Sequence, residues 1–144
     1  MNDNIIITRL WQDVDFFQIE IECKTELIVV RGRVYTTYIL IDDLYDKIGT
    51  FLSGNVNSIC WQSGTKGDLT TPCLMLKFLH KDQLGHILIE IFMEIDDGGQ
   101  PSTHNCCFYL NTEIGLLYQF RENLLNLKTP KLGISILLNN EDIK

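Results

Sequence analysis

The sequence predicts an α+β domain in which a mostly antiparallel sheet of about six or seven strands is covered by two α-helices. Three observations lead to this prediction. Several segments alternate apolar and polar residues, as strands with one buried face do. Two segments instead repeat apolar residues every three or four positions, which is typical of amphipathic helices. The length of 144 residues suits a single domain with its own core.

The N-terminal part of the chain is predicted to form strands. Ile5 to Ile7 is a short candidate, Asp13 to Asp15 is the turn after it, and Phe17 to Cys23 alternates apolar and polar side chains. The run from Leu27 to Ile39 is rich in β-branched and aromatic residues, which favour a pleated surface. Gly32 within this run predicts a bulge or a bend.

The first helix is predicted from an apolar stripe that begins at Ile41 and ends at Leu52. Asp42 and Asp43 fall in its first turn, where carboxylates favour the positive end of the helix dipole. Ser53-Gly54-Asn55 supplies the stop signal.

The second half repeats this order of strands followed by a helix. Two strong strands are joined by a hairpin from Lys81 to Gly85, and a loop from Asp96 to Ser102 precedes the next strand. Thr112 is the predicted N-cap of the second helix, with Glu113 in its first turn. The predicted parts are N-terminal strands over 1–40, a helix over 41–53, strands over 56–110, a helix over 112–128, and a strand or tail over 132–138.

Composition narrows the classes of partner. The net charge of −7 and the acidic pI disfavour nucleic acid and anionic membrane, and they suit a basic partner. Ordinary solubility also explains a charge of this size and is the favoured interpretation unless the charges cluster. The chain has no apolar stretch of spanning length, and its polar, acidic start does not resemble a leader, so we expect a cytoplasmic protein.

The five cysteines are an odd number without C-x-x-C spacing, which indicates free thiols in a reducing compartment. Packing is the expected role, since free cysteine is among the most buried residue types. A thiol enzyme using Cys107, with His104 nearby in sequence, is the less favoured alternative, because no orienting acid marks such a site.

One polar cluster has the composition of a metal site. His80, Asp82 and His86 flank the predicted hairpin, and two imidazoles with a carboxylate suit a divalent metal if they face one way. A solvated turn is the favoured interpretation, because a fourth ligand and outer supporting groups are not evident. We therefore expect no cofactor.

Two kinds of residue are candidates for binding another protein. Carboxylates lie on the polar side of alternating strands, and these are Glu20, Glu22, Glu90 and Glu94. Carboxylates that perform acid–base chemistry need a cleft that separates their pKa values, whereas this alternation predicts a solvated face. Trp11 and Trp61 are the aromatic candidates, because exposed tryptophan often anchors an interface, although a core position is equally consistent.

From residue 43 onward the order of features resembles small bacterial proteins that include immunity proteins of the wall-associated protein (WapI-like) kind. About two-thirds of the chain is covered by the resembling segments, which are Asp43 to Leu52, Trp61, Leu74-x-Leu76-x-Phe78, Asp82-x-x-Gly85-His86-Ile87-x-Ile89, and Glu113 to Leu125. The resemblance implies a non-catalytic domain that covers the active site of a basic toxin, with Trp61 and the outward carboxylates as the contact surface. It carries no catalytic motif. A homodimer through the C-terminal tail is the remaining alternative.

Overall fold

The computed structural model describes residues 3–67, 72–95 and 104–139 and contains two antiparallel four-stranded sheets. The prediction of α+β structure with two helices is confirmed, but the strands number eight and do not form one sheet of six or seven. The elements are β1 (Asn4–Gln12), β2 (Phe17–Lys24), β3 (Val29–Thr36), α1 (Tyr38–Leu52), β4 (Ser58–Ser63), β5 (Leu74–His80), β6 (His86–Ile95), β7 (His104–Glu113), α2 (Ile114–Leu124), a 3₁₀ turn (Leu125–Lys128) and β8 (Ser135–Leu137).

The two sheets are built in the same way. Sheet A has the strand order β3-β2-β1-β8, and sheet B has the order β4-β5-β6-β7. In sheet A, the consecutive strands β1 to β3 lead into α1, and the next strand, β4, lies at the edge of sheet B. In sheet B, β5 to β7 lead into α2, and the next strand after the 3₁₀ turn, β8, lies at the edge of sheet A. In each sheet, the register places one row of four inward residues side by side across the strands. The row in sheet A is Gly32, Ile21, Ile7 and Ile136. The row in sheet B is Phe108, Ile91, Leu76 and Trp61.

A single hydrophobic cluster joins the inward faces of both sheets and the buried stripes of both helices. The buried stripe of α1 is Ile41, Leu44, Ile48, Phe51 and Leu52, and that of α2 with its 3₁₀ turn is Leu117, Phe120, Leu124 and Leu127. The helix periodicity in the sequence therefore identified the residues that are buried. None of the helices in the described part of the chain is long and apolar enough to cross a bilayer.

The predicted start of each helix requires correction. The first helix begins at Tyr38 rather than at residue 41, because the Thr37 hydroxyl accepts a hydrogen bond from the Leu40 amide and caps the helix there. Asp42 and Asp43 consequently lie after the first turn, where they pair with Lys128 at 2.7 Å and Lys47 at 3.3 Å.

The second helix begins two residues later than predicted. Thr112 is not its cap but the buried penultimate residue of β7, and its hydroxyl lies 2.7 Å from Oδ1 of Asn139. Glu113 occupies the N-cap position without a side-chain capping bond. The α-helix ends at Leu124, and the remaining predicted helical residues up to 128 form the 3₁₀ turn.

Gly32 does not produce the predicted bulge, because β2 and β3 pair without interruption through it. The irregularity lies instead in β1, between Arg9 and Trp11. Gly32 is required for close packing: a Cβ atom there would lie 2.4 Å from Sδ of Met93. Glycine thus lets β3 approach the inward face of sheet B.

Arg9 is a buried cation that closes the end of the second helix. It is 1% exposed, and its Nη1 donates a 2.7 Å hydrogen bond to the carbonyl of Leu127. Its Nη2 donates to the Tyr38 hydroxyl and to Gln12, and the guanidinium lies 4.1 Å from the ring centroid of Phe17. The negative end of the helix dipole and the aromatic faces stabilise this charge.

The last described residues pack against the first strand. β8 pairs with β1 over only three residues, shorter than the predicted 132–138. Asn139, one residue beyond the predicted strand or tail, is buried, and its amide donates to Oδ1 of Asn4 at 2.9 Å. The predicted loop from Asp96 to Ser102 and residues 140–144 lie outside the described residues.

Candidate functional site

The hairpin histidines do not converge. His80 lies on the inward side of β5, where its ring stacks on Phe51 with a centroid distance of 4.1 Å. His86 is the exposed first residue of β6, and its Nδ1 lies 2.6 Å from Oδ2 of Asp82. Because side chains in the two strands alternate between faces, the two imidazoles point to opposite sides of sheet B. Residues 3–67, 72–95 and 104–139 contain no group of three or more potential ligands that could hold a metal ion.

Asp82 instead shapes the turn. Its Oδ1 accepts hydrogen bonds from the amides of Leu84 and His86, at 2.8 and 3.3 Å. The hydrogen bond from the His86 side chain, followed by these amide bonds, lowers the pKa of the Asp82 carboxyl. The carboxylate therefore stabilises the hairpin, which agrees with the favoured interpretation of a solvated turn.

The cysteines divide into inward and outward groups. Burial raises the pKa of the Cys23, Cys73 and Cys106 thiols, which fits packing roles. Cys60 and Cys107 are exposed on the outer face of sheet B. The Cys107 sulfur lies 4.0 Å from a carboxylate oxygen of Glu90, and a carboxylate is a much weaker base than the imidazole that activates a catalytic cysteine.

Two of the four predicted binding carboxylates have structural contacts in sheet B. Glu94 is 6% exposed, and its two oxygens accept hydrogen bonds from the amides of Cys73 at 2.8 Å and Gly67 at 3.2 Å. Glu94 therefore binds described residues on both sides of the segment 68–71. Glu90 accepts a 3.0 Å hydrogen bond from the Tyr109 hydroxyl on the outer face.

Trp61 belongs to the core. Its side chain is 1% exposed, and Nε1 donates a 2.8 Å hydrogen bond to the carbonyl of Leu40 at the start of α1. The indole thus joins β4 to α1. In this conformation the ring offers no surface to a partner.

The other two carboxylates lie side by side on the outer face of sheet A. Glu20 and Glu22 each face an arginine of the neighbouring strand β3. Nε of Arg33 lies 3.8 Å from Glu20, and Nε of Arg31 lies 3.0 Å from Glu22. Both arginine side chains are at least 60% exposed, so their remaining nitrogens face solvent.

Three aromatic rings extend this row of charges. Trp11, Phe16 and Tyr35 contact one another, with centroid distances of 5.4 to 6.3 Å. Trp11 and Tyr35 both pair in register with Gln18, so they share the outer face of sheet A. Trp11 remains 45% exposed. These three rings together with Glu20, Glu22, Arg31 and Arg33 are named the aromatic–arginine face.

A hollow of about 440 Å³ lies along the charged part of this face. It is lined by Gln18, Glu20, Arg31, Gly32, Arg33 and Ile95. Guanidinium groups and aromatic rings on one rigid sheet can form hydrogen bonds and stack, but this face presents no nucleophile with an adjacent base.

Sequence reasoning identified part of this face and missed part. It selected Glu20, Glu22 and Trp11 but not Phe16, Tyr35 or the two arginines. Arg31 and Arg33 lie opposite the two carboxylates, and the inward residue Gly32 separates them along β3. Pairing of opposite charges between the neighbouring strands β2 and β3 is therefore the signal in the sequence that indicates the two arginines.

Comparison of the chain with protein-family models, curated sequences and solved structures finds no match.

Proposed function

We propose that this chain is a non-catalytic protein-binding domain that contacts its partner through the aromatic–arginine face. The observation that carries the proposal is the exposed indole of Trp11, which contacts two other rings beside two exposed arginines on one sheet. Tryptophan, tyrosine and arginine are the residue types enriched among those that dominate binding energy. The rigid sheet reduces the entropy lost on binding.

The partner that we propose is a basic bacterial toxin, which the domain neutralises by covering its active site. The net charge of −7 supports this assignment, because an acidic protein attracts a basic one and speeds their encounter. Asp13 and Asp15 lie in the turn between β1 and β2, which follows Trp11 closely in sequence. They add two carboxylates near the edge of the aromatic–arginine face. Cytoplasmic location is part of the same proposal, since the domain would protect the cell that makes it.

The first test is the neighbouring gene, which should encode a larger protein with a toxic C-terminal domain. Co-expression of that toxic domain with this chain should restore growth. Trp11→Ala should weaken binding by roughly 30-fold or more, the loss expected for a dominant interface residue, and should abolish protection. An isolated gene, or full protection by Trp11→Ala, would contradict the proposal.

Tyr118→Ala is the matched control, because Tyr118 on α2 is 49% exposed against 45% for Trp11. It removes an exposed aromatic ring of similar accessibility from a different surface. Protection and affinity should stay at the level of the unmodified chain. Circular dichroism of both variants checks that any lost binding does not come from lost folding.

A further inference from the structure

The free edge of sheet B has the properties of a strand that pairs with another strand. β7 is the last strand of this sheet and is ten residues long. Residues 104–110 contain no Lys, Arg, Asp, Glu, Pro or Gly, the residues with which proteins usually protect an edge. The pairing of β7 with β6 is regular throughout, so the edge has no bulge.

The direction of the backbone groups is fixed by Asn111. Its amide donates to the Asp3 carboxylate at 2.7 Å, and its carbonyl accepts from Asn139 at 3.3 Å, so both groups point away from β6. Residues two positions apart in a strand share this direction. Asn105, Cys107 and Tyr109 therefore point the same way, and no hydrogen bond to their backbone groups occurs within the described part of the chain.

The other three sheet edges are better protected. β8 spans only three residues. The carbonyl of Cys60 in β4 accepts a 3.0 Å hydrogen bond from Lys47 of α1. The carbonyl of Tyr35 in β3 accepts a 3.1 Å hydrogen bond from Ser63. The outward residues Val29, Arg31 and Arg33 of β3 form a stretch of the same length without such a contact, but two of them are charged, which protects an edge. The middle of β7 is thus the longest edge among the described strands that has neither such a contact nor a charged residue.

We propose that β7 pairs antiparallel with β7 of a second copy of this chain, with Cys107 opposite Cys107. This inference does not depend on the proposed toxin. In this register Asn105 of each copy opposes Tyr109 of the other, and the outward backbone groups of all three residues form roughly six hydrogen bonds. Moving the centre to Tyr109 would place Cys107 opposite Asn111, whose backbone groups are already occupied.

A second copy is the occupant that the strand itself fits, because its uncovered residues are symmetric about Cys107 and one antiparallel pairing satisfies the backbone groups of both chains. Two chains of net charge −7 repel each other, and that repulsion is smallest at residues 104–110, which include no Lys, Arg, Asp or Glu. In the proposed register the two Glu113 side chains, at the ends of the paired strands, lie about 40 Å apart at about 3.4 Å per residue, far beyond the Debye length. The dimer would join two four-stranded sheets into one.

Sedimentation of the whole chain from micromolar to submillimolar concentration tests the proposal. We expect a monomer–dimer equilibrium in the unmodified protein and in Cys60→Lys. Cys107→Lys should raise the dimer dissociation constant about tenfold or more, because two ammonium groups would oppose each other at the centre. Cys60→Lys is the matched control, since both cysteines are exposed on edge strands of sheet B.

Crosslinking with a short bis-maleimide gives a second measurement that does not depend on how well Cys107→Lys folds. Cys60→Ser, which keeps Cys107, should form a covalent dimer, and Cys107→Ser should not. A protein that stays monomeric at all concentrations would overturn the proposal, as would a dimer that Cys107→Lys leaves intact. Dissociation by Ser135→Lys alone would place the interface on β8 and would also overturn it.

Discussion

The approach of the two sheets at Gly32 can be tested by adding one methyl group. A Cβ atom at this position would lie 2.4 Å from Sδ and 3.2 Å from Cγ of Met93, whose side chain is fully buried. Ordinary contacts between such atoms are about 3.5–4.0 Å. In Gly32→Ala the buried sulfur must therefore move by more than an ångström. Overpacking of this kind costs about 1–3 kcal/mol, so we expect a loss of about 2 kcal/mol.

Gly115→Ala is the control for the intrinsic effect of replacing glycine. No atom lies within 4 Å of a Cβ atom at this exposed position in α2. Alanine there removes conformational freedom from the unfolded chain and favours the helix, so this variant should gain about 0.4–1 kcal/mol. The two substitutions are chemically identical and are expected to have opposite signs.

Urea unfolding followed by circular dichroism measures both changes at constant m-value. A double-mutant cycle then attributes the loss to Met93. Met93→Ala alone should cost about 2–5 kcal/mol through the cavity it leaves, but in that background Gly32→Ala should cost little. Additive effects, or a stabilising Gly32→Ala in the unmodified chain, would show that the sheets do not meet at this position.

Three further predictions follow from individual contacts. Trp61→Ala should lower the free energy of unfolding by about 3–5 kcal/mol and Trp11→Ala by less than about 1 kcal/mol in the same urea assay, since only the first ring is buried. The pKa of Asp82 should lie below its usual value in an NMR titration and should rise in His86→Ala. Because that pKa is lowered by folding, its contribution to stability is present above the usual carboxyl pKa of about 4 and is lost as the pH falls through the lowered value. Thiol labelling of the native protein should modify two of the five cysteines rapidly, because burial raises the pKa of the other three.

Local patterns in the sequence were sufficient to predict most elements of this fold. The alternation in β2 and the turn from Lys81 to Gly85 depend on neighbouring residues, and both are confirmed. The number of sheets depends on pairing between distant segments. β4 follows β3 and α1 in sequence but does not pair with β3, and β8 pairs with β1 from the other end of the chain. No local periodicity carries that information, so a single sheet was the simplest prediction.

The two tryptophans show that local alternation also has a limit in predicting which side chains are buried. Trp61 is in phase with Ile59 and opposite in phase to Cys60, so period-two alternation favours an inward position, which the structure shows. Continuing the phase of Ile5 and Ile7 along β1 would also turn Trp11 inward. The register shift between Arg9 and Trp11 reverses that phase and places the indole outside.

The polar residues that first suggest chemistry are largely used to hold the fold together. Glu94 binds the amides of Gly67 and Cys73, and Asp82 binds the β5–β6 turn. Arg9, which no sequence motif singles out, closes the second helix. Such groups cannot change protonation or partner during a reaction without losing a structural contact. The two binding surfaces that we propose instead use groups that the fold leaves accessible, namely the indole of Trp11 and the outward backbone of β7. Both lie on strands, where their positions are fixed before a partner arrives.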